Sequence, residues 1–229
     1  MSRLVQRRFL LGATAVLLVA ALFRLYALQD VPPGLSQDEV FNAGMPAYIL
    51  AGNHAFFFRQ AYGHEPLYHY WQIPFSLLLG DNYLAARLPA VALGLFLVAL
   101  SMRWAKREFG SLTAVVTGLG LALSWWPIIF SRLGLRPILE PVLLLLMAWF
   151  WPKRPFVAGL FLGLSLYSYT GARVVFLIPI LLILHALFAR RRLDQSPRLV
   201  QSGLMMLGVA LLVSLPLFLT LQADPTLQQ

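Results

Sequence analysis

Long apolar blocks run along this chain, separated by short clusters of charge, Pro and Gly. A helix needs about 20 apolar residues to cross the roughly 30 Å hydrocarbon core of a bilayer. On that criterion the pattern predicts membrane-length or near-membrane-length helices at Phe9–Leu28, Leu84–Trp104, Ser111–Phe130, Leu135–Trp151, Pro155–Thr170, Ala172–Phe188 and Gln201–Leu221. The fifth and sixth cannot form one straight span. As a single helix Pro155–Phe188 would be about 51 Å long, so a tight hairpin is expected around Gly171 and Arg173. The predicted fold is an all-α polytopic membrane protein of about seven transmembrane helices, forming one module over residues 1–229.

Gln29–Asn82 follows a different pattern, too polar to span and too apolar to float free. Asp30-Val31-Pro32-Pro33-Gly34 reads as a turn leaving the first span. Ser36 or Asp38 then caps a helix to about Ala51, which Gly52-Asn53 ends. Its Val40, Phe41, Met45, Tyr48 and Ile49 suit a helix lying in the interface rather than crossing it. A second short helix is expected from Pro66 to Gly80, carrying Leu67-Tyr68-His69-Tyr70-Trp71 at headgroup level. Residues 29–82 thus form an external loop ordered by two amphipathic helices. The small-residue pairs Gly159/Gly163 and Gly118/Ala122 are expected to serve close helix packing.

Composition agrees with a membrane protein. Hydrophobic residues make up 59% and charged residues 12% of the chain, against nearly a quarter charged in soluble domains. A net charge of +9 invites a nucleic-acid reading, but the placement of the charge argues otherwise. Twelve of the eighteen basic residues fall in four short segments: Arg3, Arg7, Arg8; Arg103, Lys106, Arg107; Lys153, Arg154; and Arg190, Arg191, Arg192, Arg198. These are alternate loops, all inside if the N-terminus is inside. Seven of the nine acids fall on the opposite side, all but Glu108 and Asp194. An N-in, C-out topology follows, with no nucleic-acid partner. A cleaved export signal over residues 1–28 is disfavoured by the length of the apolar run and by Arg24 near its end. With no cysteine there are no disulfides or thiolate metal sites.

In a chain with so few carboxylates, the adjacent Asp38 and Glu39 at the membrane edge are the sharpest chemical signal. Helix capping competes with catalysis as their role. Arg24, Arg59, Arg87, Arg132, Arg136 and Arg173 escape the inside rule, and basic groups there normally have a reason. Arg132, Arg136 and Arg173 lie near the outer face, where bidentate contacts to a lipid phosphate compete with an Arg136–Glu140 pair and headgroup snorkelling. Arg24 and Arg87 read as structural or snorkelling. Trp125, Trp126, Trp149 and Trp151 read as aromatic-belt residues. His54, His64 and His69 show no metal-ligand spacing.

Pro32-Pro33-Gly34-Leu35, Asp38-Glu39, a short helix ending in Gly, His64-Glu65-Pro66-Leu67-Tyr68, and Arg87-Leu88-Pro89 opening the second span together resemble the N-terminal module of GT-C glycosyltransferases. The pattern is most similar to the bacterial branch related to protein O-mannosyltransferases and aminoarabinose transferases, and it covers essentially the whole chain. Such relatives are longer, with further spans and in some a soluble domain. The resemblance therefore implies the N-terminal membrane module of such an enzyme. It implies inverting transfer of a sugar from a polyprenyl-phosphate donor to a hydroxyl of a protein, lipid or glycan acceptor. The expected location is the external face of a prokaryotic cytoplasmic (inner) membrane.

On this resemblance Asp38 is the base, Glu39 and Glu65 are supporting acids, and Arg132, Arg173 and Arg136 bind the donor phosphate. His64, Tyr68 and Tyr169 line the cavity or contact the acceptor. A divalent cation shared by Asp38 and Glu65 stays open, as does a metal-free site. The chemistry is self-consistent: a phosphate leaving group needs only cations or donors, so one carboxylate with nearby arginines suffices. A non-catalytic membrane subunit or polyprenyl-phosphate-binding scaffold is the competing reading. A transporter fits less well, because the ionisable groups cluster at span ends.

Overall fold

In the computed structural model, residues 3–60, 63–188 and 196–223 are described. The basic run Arg190-Arg191-Arg192, together with Asp194 and Asp224, lies outside them. All regular secondary structure among the described residues is helical, apart from one isolated bridge between Phe58 and His64. They form two compact units, one of residues 1–53 and 69–142, the other of residues 54–68 and 143–229.

In the first unit the chain runs from α1 (Arg3–Leu25) through a turn region into α2 (Gln37–Leu50). Most of α3 (Leu67–Leu79) belongs here, followed by α4 (Tyr83–Phe109), α5 (Ser111–Leu123) and α6 (Trp125–Arg132). The long α4 is mostly enclosed and packs against α1, α2, α5 and α6. By contrast α1 turns Leu10, Leu11, Leu18 and Leu22 outward, which suits a lipid solvent rather than water. A core of Val16, Ala20, Val98, Met102 and Ala122 joins α1, α4 and α5. Its close approach depends on Gly118, where an added Cβ would sit 2.5 Å from the Met102 side chain.

The helix ends follow their local chemistry. Ser36 caps α2 through a capping box: its Oγ accepts from the Glu39 N–H at 3.3 Å, and Glu39 Oε2 accepts from the Ser36 N–H at 2.8 Å. Asn82 Oδ1 caps α4 by accepting from the Ala85 N–H at 3.0 Å. The expected span Ser111–Phe130 is two helices bent by 54° at Ser124. Pro127 explains the break. A continuous helix would drive its ring into the carbonyl of Leu123, whereas in the first turn of a new helix it is tolerated.

The helix α7 (Leu139–Phe150) starts in the first unit and belongs to the second from Leu143, where α8 (Pro155–Ser165), the short α9 (Ala172–Val175), α10 (Leu177–Phe188) and α11 (Ser196–Ala223) follow. The main contact is α8 on α11. Gly159 and Gly163 allow it: added Cβ atoms would sit 2.5 Å from Met206 O and 2.7 Å from Val213 Cβ. Met147, Ala158, Leu162, Met206 and Ala210 fill that interface. Tyr167 OH interrupts the α11 ladder beside Pro216, donating to Val213 O at 2.8 Å and accepting from the Leu217 N–H at 3.3 Å. Pro155–Phe188 is broken between α8 and α10 around Gly171, as its length requires.

Among the described residues three helices are long and apolar enough to cross a membrane: Gln6–Leu25, Tyr83–Phe109 and Arg198–Ala223. The bent α5–α6 pair makes a fourth if counted as one span. The other expected spans appear as shorter helices. Pro137 opens a 3₁₀ turn over Arg136–Ile138, so α7 starts only at Leu139 and has 12 residues. The α8 helix has 11 residues and α10 has 12. Each is roughly 16–18 Å long, well under the thickness of the hydrocarbon core.

Candidate functional site

The expected site residues divide between the units. Asp38, Glu39, Arg132 and Arg136 belong to the first, and His64, Glu65, Tyr68, Tyr169 and Arg173 to the second.

In the first unit, two neighbouring acids have opposite surroundings. Successive helix positions point about 100° apart, so the turn that carries Glu39 inward carries Asp38 outward. Glu39 is 1% exposed, and its Oε1 accepts from Arg87 Nε at 2.8 Å. Its other oxygen is committed to the Ser36 N–H. Asp38 is exposed, and its carboxylate has no hydrogen-bond or ion-pair partner among the described residues. Its position in the first turn favours an anion through the helix dipole.

Arg87 is fully buried and satisfies more than its acid. Nη1 donates to Leu28 O at 2.8 Å, and Nη2 donates to Pro32 O at 3.1 Å and Gly34 O at 2.6 Å. Arg132 does the same for the preceding stretch. Its Nη1 donates to Phe23 O at 3.0 Å and Tyr26 O at 2.9 Å, and its Nη2 to Val31 O at 2.6 Å. Arg24 donates to Ala20 O, Leu121 O and Ala122 O. The last carbonyls of a helix have no partner within it, and at the end of α1 guanidinium groups supply the donors. Arg24 and Arg87 are therefore buried structural groups, one of the two roles expected for them, and neither snorkels. Arg132, expected on a phosphate, has its Nη atoms on the α1 end and the turn after it.

Arg132 also forms the polar wall of a cleft of about 430 Å³ with Leu22, Phe23, Tyr26 and Val31. A second cavity, of about 360 Å³, lies among α2, α3 and the start of α4, with Gln72, Ser76, Asp81, Asn82 and Tyr83 as its polar lining. Asp38 lines neither cavity. The residues of this second cavity gave little signal in sequence; the one available clue is Gln72, a lone amide within the apolar Trp71–Pro74 stretch. Beside it His69 is buried, with Nδ1 3.2 Å from Gln72 Oε1 and its ring edge-on to Phe41. Burial pushes the His69 pKa down to about 4, and the charge of Arg136 adds to the shift.

The second unit gathers Glu65, His64 and Tyr68 on one segment. Phe58 and His64 exchange backbone hydrogen bonds of 2.9 and 2.8 Å, and the Leu67 N–H donates to Tyr167 O at 2.9 Å. That seam brings Glu65, 1% exposed, to Thr170, whose Oγ1 donates to Glu65 Oε1 at 2.7 Å. Tyr68 is fully buried, while Tyr169 and Arg173 are exposed. The Arg173 guanidinium has no partner among the described residues. Among the described residues no group of three or more His, Asp or Glu is arranged to hold a metal ion.

No protein-family model, no curated protein and no solved structure matches this chain.

Proposed function

We propose that this chain is a membrane-embedded sugar-transfer module using a polyprenyl-phosphate donor, with Asp38 as the base that takes the acceptor proton. One observation carries the reading. Asp38 is an exposed carboxylate without a partner, standing on a helix start that the capping box and the Glu39–Arg87 pair hold in place. A base must be ordered yet free to meet a substrate hydroxyl, and Asp38 meets both conditions. The cleft beside Arg132 supports the donor side, since an apolar wall with one guanidinium suits an isoprenoid phosphate. Arg173, in the second unit, is an exposed cation whose guanidinium has no partner among the described residues. Glu65 and Tyr68 are buried within the second unit. The transfer is inverting, on the external face of a prokaryotic cytoplasmic membrane. In this reading the chain crosses that membrane about seven times, N-terminus inside, which requires the segments flanking α7, α8 and α10 to complete crossings that those helices are too short to make alone.

A second reading has its own observation. Asp38 lines neither cavity, and the Nη atoms of Arg132 hold backbone carbonyls. The first of these favours a scaffold that binds a polyprenyl phosphate without transferring sugar; the second counts against the Arg132 Nη atoms as phosphate donors in either reading. Membranes containing this chain, mixed with a radiolabelled polyprenyl-phosphate sugar, separate the two. Label moving to an acceptor supports the transferase; saturable binding of the donor without transfer supports the scaffold.

A further inference from the structure

The first unit has two ends of opposite electrical character. At the end that carries Asp38, the cations Arg24, Arg87 and Arg132 are buried and held on backbone carbonyls, while Asp30, Asp38 and Asp81 are exposed. At the other end the arrangement is reversed. Arg7, Arg8, Arg103 and Arg107 are exposed there, and Lys106 is half-buried.

Packing gathers these cations from separate helices. Lys106 Nζ, in the last turn of α4, lies 3.6 Å from the centroid of the Phe9 ring, so the end of α4 meets the start of α1. An added Cβ at Gly12 would sit 3.4 Å from Val115 Cγ2, and one at Gly118 would sit 3.0 Å from Val16 Cγ1. The helices α1 and α5 therefore run side by side in the same direction, which sets Arg8, one turn before Gly12, level with the start of α5 at Ser111. Gly110, with a φ of +92° that suits glycine, makes the tight turn from α4 into α5. All of these residues belong to one compact unit.

Little on the protein neutralises this end. The sequences of α1, α4 and α5 contain one carboxylate, Glu108, and it pairs with Arg107 at an exposed position where such a pair contributes little. Arg7 and Arg8 have no hydrogen-bond or ion-pair partner among the described residues. Apolar surface begins immediately beside them, at the exposed Leu10, Leu11, Phe109 and Leu112. A ligand that meets both surfaces needs an anionic head joined to an apolar body, which a nucleic acid or an acidic protein surface lacks. A bias of basic residues toward one side of a membrane spreads charge over alternate loops, and does not require the start of α1, the end of α4 and the start of α5 to share it. We propose that this end of the first unit binds the headgroup of an anionic phospholipid, with its phosphate at Arg7 and Arg8 and its chains along Leu11 and Leu112. The site lies at the opposite end of the unit from Asp38 and does not rest on the transfer chemistry proposed above.

The test places a reporter at the site. The chain has no cysteine, so Thr113→Cys, at an exposed position in the first turn of α5, takes a single fluorophore. The full labelled chain is reconstituted in phosphatidylcholine bilayers without any polyprenyl donor, so a failure of sugar transfer leaves the result untouched. Brominated phosphatidylglycerol is then compared with brominated phosphatidylcholine, and contact quenching gives their relative association at the label. The same label at Phe156→Cys, close to Lys153 and Arg154 in the second unit, is the comparison. One basic residue at an anionic surface supplies about a fivefold preference. Phosphatidylglycerol should therefore be favoured about fivefold more strongly at position 113 than at position 156. Arg7→Gln combined with Arg8→Gln removes exposed, unpartnered groups, and should reduce that excess to about twofold or less while leaving position 156 unchanged. An ionic strength of about 1 M should remove most of it without any substitution. Glycerol 3-phosphate in solution should not displace the quenching lipid. The assignment is overturned by equal preference at the two labels, by a preference that survives the double substitution or high salt, or by displacement with glycerol 3-phosphate, which would give the site to a soluble anion.

Discussion

The first turn of α2 has two faces, and they separate what this fold needs from what it can offer a substrate. On the inner face Glu39 is sealed from solvent, paired with Arg87 and bound to its own helix cap. On the outer face Asp38, one residue away, is exposed and without a partner. The two acids look alike in sequence. Their surroundings show that one organises the turn after α1 while the other is left available, and that the availability of Asp38 rests on the pairing of Glu39.

If the inner face is structural, disturbing it should cost more than anything done to the outer one. Glu39→Gln leaves Arg87 buried without its counter-charge, and removal of one partner from such a pair typically costs 3–5 kcal/mol. The expected outcome is a large drop in thermal midpoint in nanodiscs, with loss of any activity as a consequence.

The inner region also carries a pH signature through His69. Its folded pKa, lowered to about 4, lies below the usual 6.5. Between those values the unfolded chain binds a proton that the folded chain does not, so stability rises with pH across the window. Unfolding measured from pH 7 down to pH 4 should show a loss approaching roughly 3 kcal/mol. His69→Phe should flatten that slope.

Ser36→Ala removes the hydroxyl half of the capping box and should cost about 1 kcal/mol, detectable as a modest shift in the same midpoint. Asp38→Asn should be the mildest, under about 1 kcal/mol, because only a helix-dipole contribution is lost. A destabilisation by Asp38→Asn equal to that of Glu39→Gln would erase the distinction between the two faces.

Some of this was legible in the sequence and some was not. Local features were legible: Ser36 as one of two candidate caps, Gly52 and Gly80 as helix ends with φ of +97° and +72°, and Gly159 and Gly163 as packing glycines. Each depends on residues close by along one helix. The Glu39–Arg87 pair joins positions 48 residues apart, and Arg132 reaches carbonyls about a hundred residues away. Neither pairing leaves a trace in periodicity. The apolar pattern also overstated helix length, because hydropathy does not register that Pro127 and Pro137 restart the backbone inside apolar runs. The cavity around Gln72 was invisible for a further reason. Its α2 wall is Ala43, Gly44, Pro46 and Ala47, whose significance is the space they leave.

The most direct test of the proposed function measures transfer of label from a polyprenyl-phosphate sugar by nanodisc-reconstituted wild-type and Asp38→Asn protein, with inserted, folded protein quantified in each sample. The expected result is that Asp38→Asn lowers the rate by about 10²–10⁴-fold, the usual contribution of a positioned base, at nearly unchanged stability. Wild-type transfer that survives Asp38→Asn undiminished would contradict a catalytic role for Asp38.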